Sequence, residues 1–272
     1  MGFDFFGEEN EMYEFEFEQP TSVADAVAAL QGDDAQALGG GQTLLATMKQ
    51  RLASPSKLVS LSGIGEMQGV SADAGTLTIG GATTHAAVAA GAGAYPALAD
   101  MAGHIGDPAV RNRGTIGGSL ANNDPSADYP AAALASGATI VTNTREIAAD
   151  DFFDGMFGTA LNDGEIITGV RFPVPEAANY QKFLQPASRF ALVGVFVAKT
   201  GDGVRVAVTG ASEQGVHRWS EAEAALSASF SVDALDGLSV GADGMIGDMH
   251  GSSAYRAHLV GVLTRRAVAA AD

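Results

Sequence analysis

The sequence predicts an α+β chain in two unequal parts, and three observations carry that prediction. Apolar spacing switches repeatedly between period two and helical period from residue 12 to residue 172. A proline doublet, Pro173-Val174-Pro175, then opens a linker that runs through Glu176-Ala177-Ala178-Asn179. Past it come a strand hairpin and two helical stretches. Switches of period mark element type, and paired prolines mark a connection.

Residues 1–11 have no clear period and read as an extension ahead of Met12. From Tyr13, apolar and acidic residues alternate, which puts Tyr13, Phe15 and Phe17 on one face of a half-buried strand that Pro20 ends. Ser22 and Asp25 form a capping box before Val23, Ala26, Val27 and Leu30 at helical spacing. Ala35 to Leu38 is a short strand, Gly39-Gly40-Gly41 a loop, and Thr43 to Leu52 a helix with Leu44, Leu45 and Met48 on its buried side. Lys57 to Leu61 is a strand, and 67–71 with 76–80 a hairpin. Helical patterns fill 83–90, 94–103 and 127–136, with a second glycine loop at 114–118. Strands follow at 138–142 and 165–172. The boundary between the parts falls after residue 175. Beyond it, Phe190 to Ala198 and Val204 to Thr209 form a hairpin, and helices cover 219–228 and 252–270.

Of the 272 residues, 46% are apolar and 17% charged, a composition able to build a core. The net charge of −17 argues against a nucleic-acid surface, which needs a basic stripe. With no cysteine, the chain offers no disulfide, no thiolate nucleophile and no thiolate set for zinc or an iron–sulfur cluster. The first twenty residues carry seven acids and no Lys or Arg, the reverse of a secretory signal. Ala86 to Gly103 is mostly small residues cut by Pro96, too weak for a membrane span. A soluble cytoplasmic protein is expected.

There are 35 glycines, close to twice the usual share of about 7%. Two runs stand out, Gly39-Gly40-Gly41-Gln42-Thr43 and Gly114-Thr115-Ile116-Gly117-Gly118-Ser119. Each is either an ordinary turn or an amide-lined cradle for an anion, since glycine lets backbone N–H groups approach a phosphate. Neither ends in Gly-Lys-Ser/Thr, so neither is a P-loop. Gly63-Ile-Gly65-Glu-Met-Gln-Gly69 has the wrong spacing for a dinucleotide fingerprint and reads as a loop.

At these residues the sequence resembles the FAD-binding medium subunits of the molybdenum hydroxylases, the family of carbon monoxide dehydrogenase and xanthine dehydrogenase. The strings that carry the resemblance are Gly39-Gly-Gly-Gln-Thr-Leu-Leu45, Met48-Lys-Gln-Arg-Leu52 and the long run Ile105-Gly-Asp-Pro-Ala-Val-Arg-Asn-Arg-Gly-Thr-Ile-Gly-Gly-Ser-Leu-Ala121, continuing through Tyr129-Pro130. Gly164-Glu-Ile-Ile167, Tyr180-Gln-Lys-Phe183, Pro186 to Gly194 and Tyr255-Arg-Ala-His-Leu259 extend it almost to the end.

The resemblance implies a two-subdomain flavin domain of the p-cresol methylhydroxylase type over 12–175 and, over 176–272, a small C-terminal α+β domain with a three-stranded antiparallel sheet and helices. It implies FAD as the cofactor of this chain, with the molybdenum cofactor and [2Fe–2S] clusters on a large and a small partner subunit, in a dimer of heterotrimers. It places Gly40, Gly41, Gln42, Thr43 and Leu44 on one side of the FAD, and Thr115, Ile116, Gly117, Gly118 and Ser119 on the other. Ile105 and Ile167 are implied apolar contacts, Asp128 a carboxylate bonding the cofactor, Lys182 a basic contact, and Tyr180 a ring over the isoalloxazine. No residue is singled out as catalytic.

Other residues carry blander expectations. His85 and His104 are candidates for proton carriers, but with no acidic partner or metal spacing nearby they read as structural or capping; His217, His250 and His258 form no i,i+4 pair, so no metal site is expected. Asp124 starts a turn or caps a helix. Arg111 and Arg113 serve either phosphate, a partner's acidic surface, or surface salt bridges. Trp219 starts a helix as a packing residue, and Arg265-Arg266 complement a helix end. The functional expectation is a redox relay that takes electrons from partner clusters and passes them to NAD, quinone or oxygen. A self-contained flavin oxidase and a non-catalytic nucleotide-binding module are the alternatives. The substrate belongs to the large subunit and stays open.

Overall fold

The computed structural model describes residues 12–271; the expected extension over 1–11 lies outside them. The chain starts with a small parallel sheet. β1 (Glu16–Glu18), α1 (Val23–Ala29), β2 (Ala35–Leu38), α2 (Leu44–Lys49) and β3 (Lys57–Ser60) follow one another, and the strands lie in the order β1-β3-β2. Ser22 caps α1 as expected, its Oγ accepting from Asp25 N at 3.1 Å, but the return bond of a full capping box is replaced by Ser22 Oγ donating to Asp25 Oδ2 at 2.7 Å. β1 is shorter than its alternation suggests, and the described residues cover its apolar face only in part. Tyr13 and Phe17 are both about half exposed, and only Phe15 packs on Leu38, Met48 and Leu58. An edge strand paired on one side only is held here by Lys57, which bonds Glu18 at 2.8 Å.

A five-stranded antiparallel sheet comes next. β4 (Val70–Asp73) and β5 (Thr76–Gly80) form its first hairpin; α3 (His85–Gly91), α4 (Pro96–Gly103), α5 (Pro108–Arg111), α6 (Ile116–Asn122) and α7 (Tyr129–Ser136) follow. β6 (Thr139–Thr142), β7 (Glu146–Ala148), a tiny hairpin β8 (Phe153–Asp154) with β9 (Gly158–Thr159), and β10 (Ile167–Pro173) complete this part, with sheet order β4-β5-β10-β6-β7. The 63–69 segment is a loop holding a single 3-10 turn. The second glycine run is not a loop: Thr115 caps α6, and Gly117 and Gly118 lie inside it.

The linker is shorter than expected. β11 (Ala177–Leu184) begins right after Glu176 and pairs along its length with β12 (Ala191–Thr200), which pairs with β13 (Gly203–Thr209). A two-residue β14 (His217–Arg218) makes this a four-stranded sheet rather than three-stranded. α8 (Ser220–Ala228) and α9 (Ser253–Ala270) cover one face. Trp219 is buried at the start of α8. Arg265 does more than complement a helix end, since it reaches Val232 O at 3.2 Å and Asp236 at 2.9 Å across the fold.

β12 is buried on both faces. Val193, Val195 and Val197 point to α8 and α9, while Phe196 and Ala198 join a core shared with Tyr95, Leu134, Ile140 and Phe172 of the first part. All eight residues of α7 are buried, because the helix packs on β10 at one side and on β12 and β13 at the other. A helix apolar all round is the sequence that such a double contact requires.

Candidate functional site

A cavity of about 800 Å³ opens between the small parallel sheet, the five-stranded sheet and the loop after β11. Two glycine runs meet at its wall. The chain leaves β2 at Leu38, and Gly41 takes φ +71, a left-handed value that glycine adopts without strain. Gly40 rests directly on the other run: a Cβ there would lie 2.1 Å from Arg113 O and 2.5 Å from Gly114 Cα. The loop thus needs glycine to touch its partner segment.

The N–H groups of Gly40, Gly41, Gln42, Thr43 and Leu44 donate to no carbonyl of the described residues. All five residues line the cavity. Unpaired donors at one wall form an anion cradle. α2 has only six residues, so the amides of the loop, not a helix dipole, carry the attraction. The second run differs from expectation, because all of its amides but that of Thr115 are satisfied within the chain. Ile116 N donates to Thr83 O at 3.1 Å, Gly117 N to Gly81 O at 2.9 Å and Gly118 N to Thr115 Oγ1 at 3.1 Å. Its glycines serve close approach: a Cβ on Gly117 would lie 2.6 Å from Gly81 O. Thr115, Gly117, Gly118 and Ser119 line the cavity, whereas the Ile116 side chain is fully buried in the core behind it.

Ile105 and Ile167 lie on the wall, and so does Asp128. Asp128 is 4% exposed; its Oδ1 accepts from Tyr180 Oη at 2.6 Å and from Lys182 Nζ at 2.9 Å. Lys182 Nζ also donates to His104 O at 2.9 Å. Burial lifts the Asp128 pKa above the ordinary carboxylate range, against the pull of the Lys182 charge and the Tyr180 hydroxyl. Burial first, and then the Asp128 charge, push the Tyr180 phenol up. Gly194, across from Lys182 on β12, leaves the space for the phenol: a Cβ there would lie 2.2 Å from Tyr180 Oη.

Tyr180 and Lys182 are therefore not where the resemblance puts them. Neither lines the cavity. The period of β11 turns both toward Asp128 at the foot of α7, and the Tyr180 ring packs on Phe196 at 5.9 Å instead of lying over the cavity. Arg111 is also reassigned. It donates to Ile105 O at 3.2 Å and Gly106 O at 2.9 Å, bracing the loop that carries Ile105. Arg113 is exposed, and its carbonyl is the atom Gly40 approaches.

Of two further wall residues, Glu165 had no assigned role in the sequence and His85 was read as structural or capping. Glu165 accepts from Thr142 Oγ1 at 2.6 Å, Thr144 Oγ1 at 2.8 Å, Asn162 N at 2.9 Å and Arg145 Nε at 3.1 Å. The Arg145 bond, with these others, holds its carboxyl well below the usual range. Its place in the Gly164-Glu-Ile-Ile167 string was the available signal. The second is His85, 5% exposed at the start of α3, with Nδ1 sealed and without a partner. Burial, and then the Arg111 charge, push its pKa down to about 4.

The cavity wall carries Asp107, Asp124, Asp128 and Glu165 against one arginine, Arg189. Each of these acids has an internal bond; Asp107 caps α5 through Val110 N at 2.9 Å, and Asp124 accepts from Ser126 N at 2.8 Å. Among the described residues no group of His, Asp and Glu is placed to hold a metal, and no helix is long and apolar enough to cross a membrane. The cradle fits an extended dinucleotide: free amides for its diphosphate, a buried acceptor for hydroxyls and apolar walls for a ring.

Residues 13–175 match the model of the FAD-binding domain in molybdopterin dehydrogenase. The chain is 34% identical over 274 residues to the carbon monoxide dehydrogenase medium chain of Afipia carboxidovorans, covering 93% of this chain and 95% of that one. It is 35% identical over 270 residues to the nicotine 6-hydroxylase medium subunit of Paenarthrobacter nicotinovorans, with the same coverages. Its fold superposes on carbon monoxide dehydrogenase from Hydrogenophaga pseudoflava, in a form lacking the Mo-pyranopterin moiety, with a TM-score of 0.86, 33% identity and coverage of 96% and 98%. A glycine cradle built for a dinucleotide and a family match along the segment that builds it agree: the chain belongs to the FAD-binding family of the molybdopterin dehydrogenases and is an FAD-carrying medium subunit of an oxidoreductase complex.

Proposed function

We propose that this chain relays electrons through its FAD, taking them from [2Fe–2S] clusters of a small partner subunit after a molybdenum-bearing large subunit has oxidised the substrate, and passing them to an external acceptor. The observation that carries the reading is the Gly40–Leu44 cradle seated on Gly114 at a cavity reaching the loop after β11. The absence of any cysteine supports clusters on another chain, because the thiolates they need are not here. FAD, when bound, supplies the ability to take up electrons singly and release them singly or in pairs.

The chain's own residues bind and orient. The amides of Gly40, Gly41, Gln42, Thr43 and Leu44 hold the diphosphate, faced by Thr115, Gly117, Gly118 and the Ser119 hydroxyl. Ile116 wedges that side from behind. Asp128 accepts from cofactor hydroxyls, while Lys182 and Tyr180 fix it in place. Ile105 and Ile167 keep water from the ring. In this reading residues 12–175 form the flavin domain and 176–272 the C-terminal domain, in a dimer of heterotrimers working in the cytoplasm.

The test is co-expression with the large and small chains, followed by rapid mixing with the substrate of the large chain. Flavin absorbance is expected to bleach only in the assembled complex. Bleaching of the isolated chain by that substrate, or no flavin absorbance even after incubation with FAD, overturns the relay.

A further inference from the structure

His85 has no bonding partner at either ring nitrogen among the described residues, although the residue is 5% exposed and lines the cavity. Its ring edge lies against Gly114, where a Cβ would be 2.5 Å from Nε2. Gly114 is also where Gly40 rests, so the imidazole stands directly behind the junction of the two glycine runs. Nδ1 is sealed from the cavity, so only the Nε2 edge beside Gly114 is open to the field of a ligand there.

Resting on the flavin reading above, we infer that His85 is the proton-binding residue of the diphosphate site, taking up one proton from solvent when the dinucleotide seats and returning it when the site empties. Only a proton moves; no electron is transferred and no other bond changes. The charges around the ring define the direction. Arg111 on α5 is the cation that opposes protonation. α3 itself carries no charged residue, nor do the segments 79–84 and 114–119. From α7 comes the Tyr129 ring, 5.3 Å away, and Asp128 beside it is held by Lys182 and Tyr180. With the wall acids bonded internally, an FAD diphosphate brings two negative charges against a single wall cation, Arg189. Coulomb attraction in a poorly solvated site then favours the imidazolium. Without those charges, burial and then Arg111 push the His85 pKa down to about 4, which leaves the ring neutral at pH 6.

The experiment is calorimetric titration of the full chain, stripped of flavin, with FAD at pH 6 in buffers of different ionisation enthalpy. The expected result is close to one proton taken up per FAD, with affinity falling up to tenfold per pH unit as pH rises from the free ring's range to that of the bound imidazole, and levelling off above it. His85→Gln should bind FAD with no proton uptake and a flat pH profile. As a check independent of folding of that variant, the wild-type His85 ring signals in NMR should titrate at acidic pH without FAD and well above it with FAD. FAD binding without proton uptake, equal uptake in His85→Gln, or an unmoved ring titration overturns the assignment of His85 and leaves the flavin reading standing. A wild-type chain that binds no FAD overturns the flavin reading, and the inference with it.

Discussion

The ammonium of Lys182 lies 2.9 Å from the carboxylate of Asp128, and both side chains are about 95% removed from solvent. They meet across 54 residues of sequence. A buried pair of this kind is expensive to break from one side, since the remaining charge stays desolvated at a cost of about 3–5 kcal/mol. Lys182→Met should therefore destabilise the chain strongly and weaken flavin retention. Urea unfolding and the flavin-to-protein absorbance ratio measure both, and an unchanged midpoint with unchanged flavin content would refute the positioning role.

Tyr180→Phe keeps the ring against Phe196 and removes only the 2.6 Å hydroxyl bond to Asp128. Loss of one bond to a buried carboxylate should cost about 1.5–3 kcal/mol. Because the ring is not on the cavity wall, the flavin absorption maxima should stay in place while retention drops. A shifted flavin band would restore the stacking role that the geometry withholds.

Gly40→Ala forces a Cβ to 2.1 Å from Arg113 O, so the two glycine runs must part. Overpacking of a tight contact costs about 1–3 kcal/mol, and FAD affinity should fall more steeply than stability. Gly65→Ala meets nothing within 4 Å and serves as the control. Equal flavin content in both variants, read from absorbance after reconstitution, would show that the contact does not shape the cradle.

Glu165 gives the chain an acid-sensitive brace. Its folded pKa lies well below the unfolded value of 4.5, so its contribution is fully present above about pH 4.5 and disappears as pH falls below that value. Glu165→Gln should lose stability at pH 7 and show a smaller decline than wild type on acidification. Denaturant midpoints at pH 7 and pH 4 test this; parallel declines would contradict it.

What the sequence revealed depended on the range over which each interaction acts. Ala35–Leu38 is read to the residue because a short apolar strand between turn signals is a local pattern. The capping of α1 is likewise local. β11 stayed hidden because the prolines before it suggest a linker, and its period-two side chains make sense only once Asp128 faces them. The free amides of Gly40–Leu44 and the satisfied ones of Ile116–Gly118 come from chemically similar sequences; only the placement of Gly81 and Thr83 separates them. Phe17 shows the converse, since alternation defines a face without supplying anything to cover it.

The double burial of β12 bears on how the molecule comes apart. Val195 and Phe196 are adjacent in sequence yet belong to different hydrophobic clusters, so withdrawing this one strand opens both at once. Heat or denaturant should then melt residues before and after the 173–176 connection together, in one cooperative transition. A chain cut at residue 175 would lose Ala178, Tyr180 and Phe196 from the larger cluster and, with Tyr180 and Lys182, the anchors of Asp128. The flavin-binding half is thereby dependent on its neighbour for its own cohesion.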